Sequence, residues 1–178
     1  VCTGTGDLAF AFGVSADIVG CDFSLPMLVT ARRKAGRRRR RMPLVVADGL
    51  RLAVRAESFD IVTVAFGIRN FEDLPAGLEE LGRALRPGGR LLVLEFSTPR
   101  GALAPLLGWW VRNVPPRLGR LVSRDRDAYD YLSTSVAGFA DSAAVCNMLE
   151  CAGFGSIVAH HLTWGVATIY EAIRLPSG

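Results

Sequence analysis

The chain opens with Val1-Cys2-Thr3-Gly4-Thr5-Gly6-Asp7. This stretch reads as the end of a strand, a glycine-rich turn and the first residue of a helix. Glycine lets a backbone turn sharply and approach a ligand closely, and a helix amino terminus presents free N–H groups. Asp17–Cys21 reads as a second short strand, buried through Ile18 and Val19, and Asp22 stands at its tip. A carboxylate in that place suits the hydroxyls of a ribose. Together the two segments point to a nucleoside ligand lying across the edge of a parallel sheet.

Reading on from this stretch, the pattern repeats. Ser24 can cap a helix over Leu25–Lys34, with Pro26 in its first turn. The arginine-rich run after it reads as a loop. Pro43–Ala47 is a third strand ending at Asp48-Gly49, and Phe59–Phe66 a fourth, rich in β-branched residues. Asp73 can cap the next helix, which carries Pro75 in its first turn and an apolar stripe of Leu74, Leu78, Leu81 and Leu85. Pro87-Gly88-Gly89 should stop that helix, and Arg90–Phe96 follows as a fifth strand. Strands alternating with helices imply right-handed crossovers and a mostly parallel α/β sheet covered on both faces. Ligands on such sheets sit outside the carboxyl ends of the strands. Gly4, Asp22, Asp48, the Phe66–Asn70 segment and Phe96-Ser97 all fall there.

Residues 100–140 break the alternation with apolar and basic stretches, so 98–140 is expected to be an insertion that serves as a lid on the acceptor side. Asp141 then caps a helix with Ala144, Val145, Met148, Leu149 and Ala152 on one face, ended by Gly153. Ile157–Leu162 and Val166–Ile173 are joined through Thr163-Trp164-Gly165. So short a link requires antiparallel pairing, which gives a hairpin at the end of the sheet.

At 178 residues, half of them hydrophobic, the chain is large enough for one well-packed domain. No charged-then-apolar leader opens it, and no apolar run approaches the roughly 18 residues that span a bilayer. Cys2, Cys21, Cys146 and Cys151 form no Cys-x-x-Cys pair and sit in apolar stretches, as reduced core residues of a cytoplasmic protein do. His160 and His161 lie on a late strand without a third ligand at metal spacing, so no metal is expected. The start inside a strand suggests a fragment or a processed chain. The net charge of +4 is local: residues 32–41 carry eight cations and no acid, and without them the remainder is at −4. Most such runs are solvated loops; as a binding surface it suits an anionic membrane better than a nucleic acid, since no aromatics are interleaved with it. The apolar Ala102–Val111 stretch, with its paired tryptophans, is a lid for an apolar tail, a shallow interfacial contact or a helix packed on the core.

Several segments carry a family resemblance. Gly4-Thr5-Gly6, Asp22, Ala47-Asp48-Gly49 and Leu85-Arg86-Pro87-Gly88-Gly89-Arg90 resemble the motifs of class I S-adenosylmethionine-dependent methyltransferases. Thr5-Gly6-Asp7-Leu8, Asp22-Phe23-Ser24-x-x-Met27-Leu28, Phe66-Gly67-Ile68-Arg69-Asn70, Leu94-Glu95-Phe96-Ser97 and Tyr129-x-Tyr131-Leu132-x-x-Ser135 are similar to the ubiquinone/menaquinone C-methyltransferases, the UbiE-like family. The Phe-Gly-x-Arg-Asn and Tyr-x-Tyr-Leu segments are its specific parts. The likeness implies a Rossmann-like, seven-stranded, mostly parallel sheet with helices on both faces and a C-terminal antiparallel hairpin. It implies methyl transfer from S-adenosylmethionine to a ring carbon of a polyprenylated benzoquinol or demethylmenaquinol, by an enzyme in the cytoplasm or peripheral at a membrane's inner face. Thr3, Gly4, Gly6, Asp22, Phe23, Met27, Asp48, Gly49 and Phe66 would then meet the cofactor, and Arg69, Asn70 and Tyr129 would do the chemistry. Arg69 would stabilise a phenolate and Asn70 would bind a hydroxyl; Asp125 and Tyr131 would sit over the acceptor. Asp7 is either a helix-opening acid or a cofactor-site residue. The pattern departs from the family at Thr3, where a glycine is common, at the long arginine run, and at Phe139-Ala140-Asp141, which lacks a proline. A methyltransferase for another phenol or lipid, and a non-catalytic cofactor- or RNA-binding module, are the alternative readings.

Overall fold

The computed structural model describes residues 1–12, 16–97 and 139–176. Tyr129, with Asp125, Tyr131 and the Ala102–Val111 stretch, lies outside them. The described elements are α1 (Asp7–Ala11), β1 (Gly20–Asp22), α2 (Leu25–Arg37), β2 (Leu44–Val46), β3 (Phe59–Ala65), α3 (Leu74–Ala84), β4 (Leu85–Phe96), α4 (Ser142–Cys151), β5 (Phe154–Leu162) and β6 (Ala167–Arg174).

β1 and β2 pair in parallel, and a second sheet runs β3-β4-β6-β5. β3 and β4 are parallel, whereas β6 is antiparallel to both β4 and β5. The expected hairpin is therefore present, with its second strand inserted inside the sheet. The expected seven strands are corrected to six among the described residues, in two sheets. Val1–Thr3 lies between these sheets. Val1 N donates to the Thr63 carbonyl at 2.8 Å, and Thr3 N donates to the Cys21 carbonyl at 2.9 Å. Two hydrogen bonds on opposite sides are too few to make a strand of this segment.

Local chemistry explains most element ends. Asp73 and Asp141 cap α3 and α4, accepting from Ala76 N at 3.0 Å and Ala144 N at 2.8 Å. Ser24 stands at the N-cap of α2, but its hydroxyl makes no capping bond; its own N–H instead donates to Asp22 Oδ1 at 2.8 Å. The loop expected over the arginine run is half corrected. α2 continues to Arg37 because Leu28, Ala31 and Ala35 keep one face buried. The expected break at Pro87-Gly88-Gly89 falls within β4, as a register shift with Gly88 at φ +76°. The core gathers Val62 and Val64 of β3, Leu78 and Leu81 of α3, Leu91 and Val93 of β4, Val145 and Leu149 of α4, and Tyr170. No helix among the described residues is long and apolar enough to cross a membrane.

Candidate functional site

The glycine turn is built from both sides. Gly4 has φ +54° and Gly6 φ +86°, conformations that favour glycine. Gly6 N donates to the Thr3 carbonyl at 2.9 Å, closing the turn. Gly4 N donates to Asp22 Oδ2 at 2.7 Å, while Asp22 Oδ1 takes Ser24 N. One carboxylate thus ties the turn, the tip of β1 and the start of α2 together. Each carboxylate oxygen accepts more than one hydrogen bond, so Asp22 retains capacity for ribose hydroxyls. Nothing lies within 4 Å of where a Cβ on Gly4 would stand, leaving open space over the turn. Beside it Phe23 is 80% and Met27 47% exposed, apolar surface that suits the face of a base. These features fit a nucleoside cofactor.

Thr3 belongs to the framework, its hydroxyl accepting from Cys21 N at 2.9 Å. Asp48, just beyond β2, uses Oδ1 to hold Leu50 N at 2.9 Å, which shapes its turn. Gly49 is required locally: a Cβ there would collide with the Phe71 ring, which also presses on Gly77. Asp7 pairs with Lys34 at 2.8 Å and accepts from the Thr5 hydroxyl at 2.7 Å. Lys34, followed by Thr5, holds the exposed Asp7 carboxyl below its usual range.

The ends of β3 and β4 carry a second group. Phe66 has φ +53°, donates its N–H to the Leu94 carbonyl at 2.8 Å, and packs its ring 4.6 Å from that of Phe96. Arg69 and Asn70 form the short 3-10 turn that follows, Ile68–Asn70. Arg69 is not a free cation. Its Nη1 lies 2.7 Å from Oε1 of Glu95, a fully buried residue, and its own side chain is only 9% exposed. Glu95 Oε1 also accepts from Phe96 N at 2.9 Å, and Oε2 takes Arg69 N at 3.4 Å. The guanidinium carbon stands 5.5 Å over the Phe96 ring. Arg69 Nε is buried without a hydrogen-bond partner among the described residues.

Glu95, the partner of Arg69, is the residue of this group that motif reading gave no role. The signal was there: alternation along β4 puts residue 95 on the buried face with Leu91 and Val93. A buried acid needs a cationic partner, and Arg69 at the neighbouring strand end is the nearest by topology.

The site does not absorb every feature. A cavity of about 470 Å³ is lined by Val1 to Thr5, residues 16–19 and β3 from Phe59 to Ala65; Thr3 and Gly4 face it, whereas Asp22, Asp48, Phe66 and Arg69 do not. His160 and His161 are exposed, at 3.8 Å from Glu171 Oε2 and 2.9 Å from the Thr168 hydroxyl respectively.

The model of the ubiE/COQ5 methyltransferase family matches residues 1–174. A demethylmenaquinone methyltransferase of Thermus thermophilus is 45% identical over 176 residues, covering 97% of this chain and 80% of that protein. The ubiquinone/menaquinone biosynthesis C-methyltransferase UbiE of Paracoccus denitrificans is 39% identical over 184 residues, covering 98% and 72%. Solved structures share the α/β Rossmann-like methyltransferase fold. The YcgJ protein of Bacillus subtilis superposes with a TM-score of 0.70 at 17% identity, covering 99% of this chain and 90% of that one. A Haemonchus contortus phosphoethanolamine N-methyltransferase 2, solved with phosphomonomethylethanolamine and S-adenosylhomocysteine, superposes with a TM-score of 0.72 at 15% identity, covering 98% and 48%. With a glycine turn and acid that fit a nucleoside, and with relatives matched over nearly its whole length, the chain belongs to the ubiE/COQ5 family of S-adenosylmethionine-dependent methyltransferases.

Proposed function

We propose that the protein methylates a ring carbon of a polyprenylated quinol, as the names of its relatives suggest for quinone biosynthesis. The observation that carries this reading is the Arg69–Glu95 pair against the Phe96 ring, which in turn packs on Phe66. It joins the family-specific Phe66–Asn70 segment to Leu94–Ser97, where an acceptor would lie beside the cofactor turn.

Bound S-adenosylmethionine supplies an electrophilic methyl group. Thr3, Gly4 and Gly6 shape the cofactor turn and Asp22 takes the ribose, while Phe23, Met27, Asp48, Gly49 and Phe66 line the remainder. The quinol ring must be held in near-attack geometry and made electron-rich by loss or polarisation of a hydroxyl proton. Arg69, with its charge largely balanced by Glu95, acts as a fixed donor to the developing phenolate, and Asn70 holds a hydroxyl. Electrostatic preorganisation of this kind is effective because the donor need not reorganise during reaction. Tyr129, outside the described residues, takes the catalytic role that the family resemblance implies for it. Residues 1–178 act as a single methyltransferase domain. We place the enzyme in the cytoplasm, peripheral at a membrane.

The test has two arms. Calorimetric titration with S-adenosylmethionine should give binding that Asp22→Ala removes. In turnover assays with a short-tailed demethylmenaquinol, Arg69→Ala should lower kcat by 100-fold or more, the scale of losing one oxyanion donor, while cofactor affinity changes less than threefold. Loss of cofactor affinity on Arg69→Ala would refute the assignment.

A further inference from the structure

The arginine run lies apart from the site described above and is the densest cluster of positive charge in the sequence. Its cations are largely uncommitted. Lys34 is engaged by Asp7, and the Arg38 guanidinium carbon stacks 4.7 Å over the Phe10 ring. Arg32, Arg33, Arg37, Arg39 and Arg41 are exposed, and among the described residues none has an acid within ion-pair distance. No acid occurs anywhere between Phe23 and Ala47.

The run shares a helix face with exposed aliphatic residues. Leu28, Ala31 and Ala35 bury one side of α2. Counting from Leu25, steps of four, eight and twelve residues place Val29, Arg33 and Arg37 together on the opposite side. Leu25 is 58% and Val29 41% exposed. The outer face of α2 is thus aliphatic at its start, next to Asp22 and the cofactor turn, and basic at its end.

We infer that this face of α2, with the arginines up to Arg41, is the surface by which the protein docks on an anionic lipid bilayer. A basic helix face beside exposed aliphatic side chains suits the boundary between headgroups and acyl chains. Arginines attract anionic headgroups, while Leu25 and Val29 enter the apolar layer. A nucleic acid would use the same charges, but aliphatic residues offer its bases no stacking platform. Because the aliphatic end adjoins the cofactor turn, docking sets the rim of the site against the layer that holds an apolar-tailed acceptor. That physiological purpose rests on the quinol reading; the docking itself does not.

The experiment is sedimentation of the 178-residue chain with vesicles, without cofactor or quinol. Vesicles of 30% phosphatidylglycerol in phosphatidylcholine should bind it at 50 mM salt and release it at 500 mM; pure phosphatidylcholine should not bind it. Arg33→Gln/Arg37→Gln/Arg41→Gln should weaken partitioning about 100-fold, at roughly fivefold per charge. Leu25→Ser/Val29→Ser should weaken it at unchanged salt dependence. Circular dichroism confirms that each variant is folded, and neither should lose activity on a short-tailed, dispersed quinol. Binding indifferent to lipid charge would overturn the inference, as would vesicle binding displaced by stoichiometric single-stranded RNA. Retained vesicle binding with no quinol turnover would defeat the functional reading and leave the docking surface standing.

Discussion

Replacing Glu95 by leucine keeps much of its volume and removes the acid that pairs with Arg69. The guanidinium, attached to a side chain 9% exposed, would be left buried without a counter-charge. Breaking a buried pair by deleting one partner costs about 3–5 kcal/mol. The Phe96 ring, 5.5 Å from the guanidinium carbon, offers a cation–π contact of roughly 0.5–1 kcal/mol, too little to substitute. A domain of this size is stable by about 5–15 kcal/mol, so the variant should lose about a fifth of its stability or more. At about 2–4 °C per kcal/mol, its melting temperature should fall by roughly 6–20 °C. Urea unfolding followed by circular dichroism, read as a midpoint shift at constant slope, measures the loss directly. The double variant Arg69→Met/Glu95→Leu should recover most of it, because two apolar residues need no pairing. A Glu95→Leu protein within about 1 kcal/mol of the parent would refute this reasoning, since the guanidinium would then escape to water at little cost.

Three further outcomes follow from the same geometry. Gly6→Ala forces a Cβ to within 2.8 Å of the Phe10 ring at φ +86°, and should cost about 1–3 kcal/mol in urea unfolding; an unchanged midpoint would show that the turn relaxes freely. Burial pushes the Cys2 thiol up to about 11 and raises that of Cys21, so iodoacetamide at pH 8 should label exposed Cys151 well before either, as read by peptide mass spectrometry. The Arg83 side chain, and after it the Leu52 N–H, hold the Glu80 carboxyl below its usual range. With the folded value below the unfolded one, its stabilisation is complete above the unfolded value and is lost as pH falls through the folded one. The stability gap between the parent and Glu80→Gln should therefore be full at pH 7 and close below about pH 4, and a gap constant down to pH 2.5 would contradict the pairing.

What could be read from sequence was set by short-range physics. The glycine turn, the Asp73 and Asp141 caps and the α3 stripe depend on residues within a few positions of one another, and the structure has them all. Asp22 was legible as a strand-end acid, but its bonds to Gly4 N and Ser24 N were not, because they join segments brought together only by folding. The arginine run read as a loop because its charge outweighed the quieter recurrence of Leu28, Ala31 and Ala35. Glu95 was quoted in a motif yet given no role. Its partner lies 26 residues away, across a strand pair whose register no single segment reveals.

The placement of β6 constrains how the chain can be made. β5 precedes β6 in sequence, but β6 lies between β5 and β4 in the sheet. A nascent polypeptide finished as far as Leu162 therefore holds β5 with no neighbour to accept it, and β4 with one open edge. Neither edge closes until Ala167–Arg174 leaves the ribosome and slides between them, burying Thr168, Tyr170 and Ala172. Long-range pairing of this kind forms late, and unpaired edges invite association while they wait. Pausing of translation between Leu162 and Ala167, or a premature stop there, would release a species whose central sheet is exposed along its length and ready to pair with another copy.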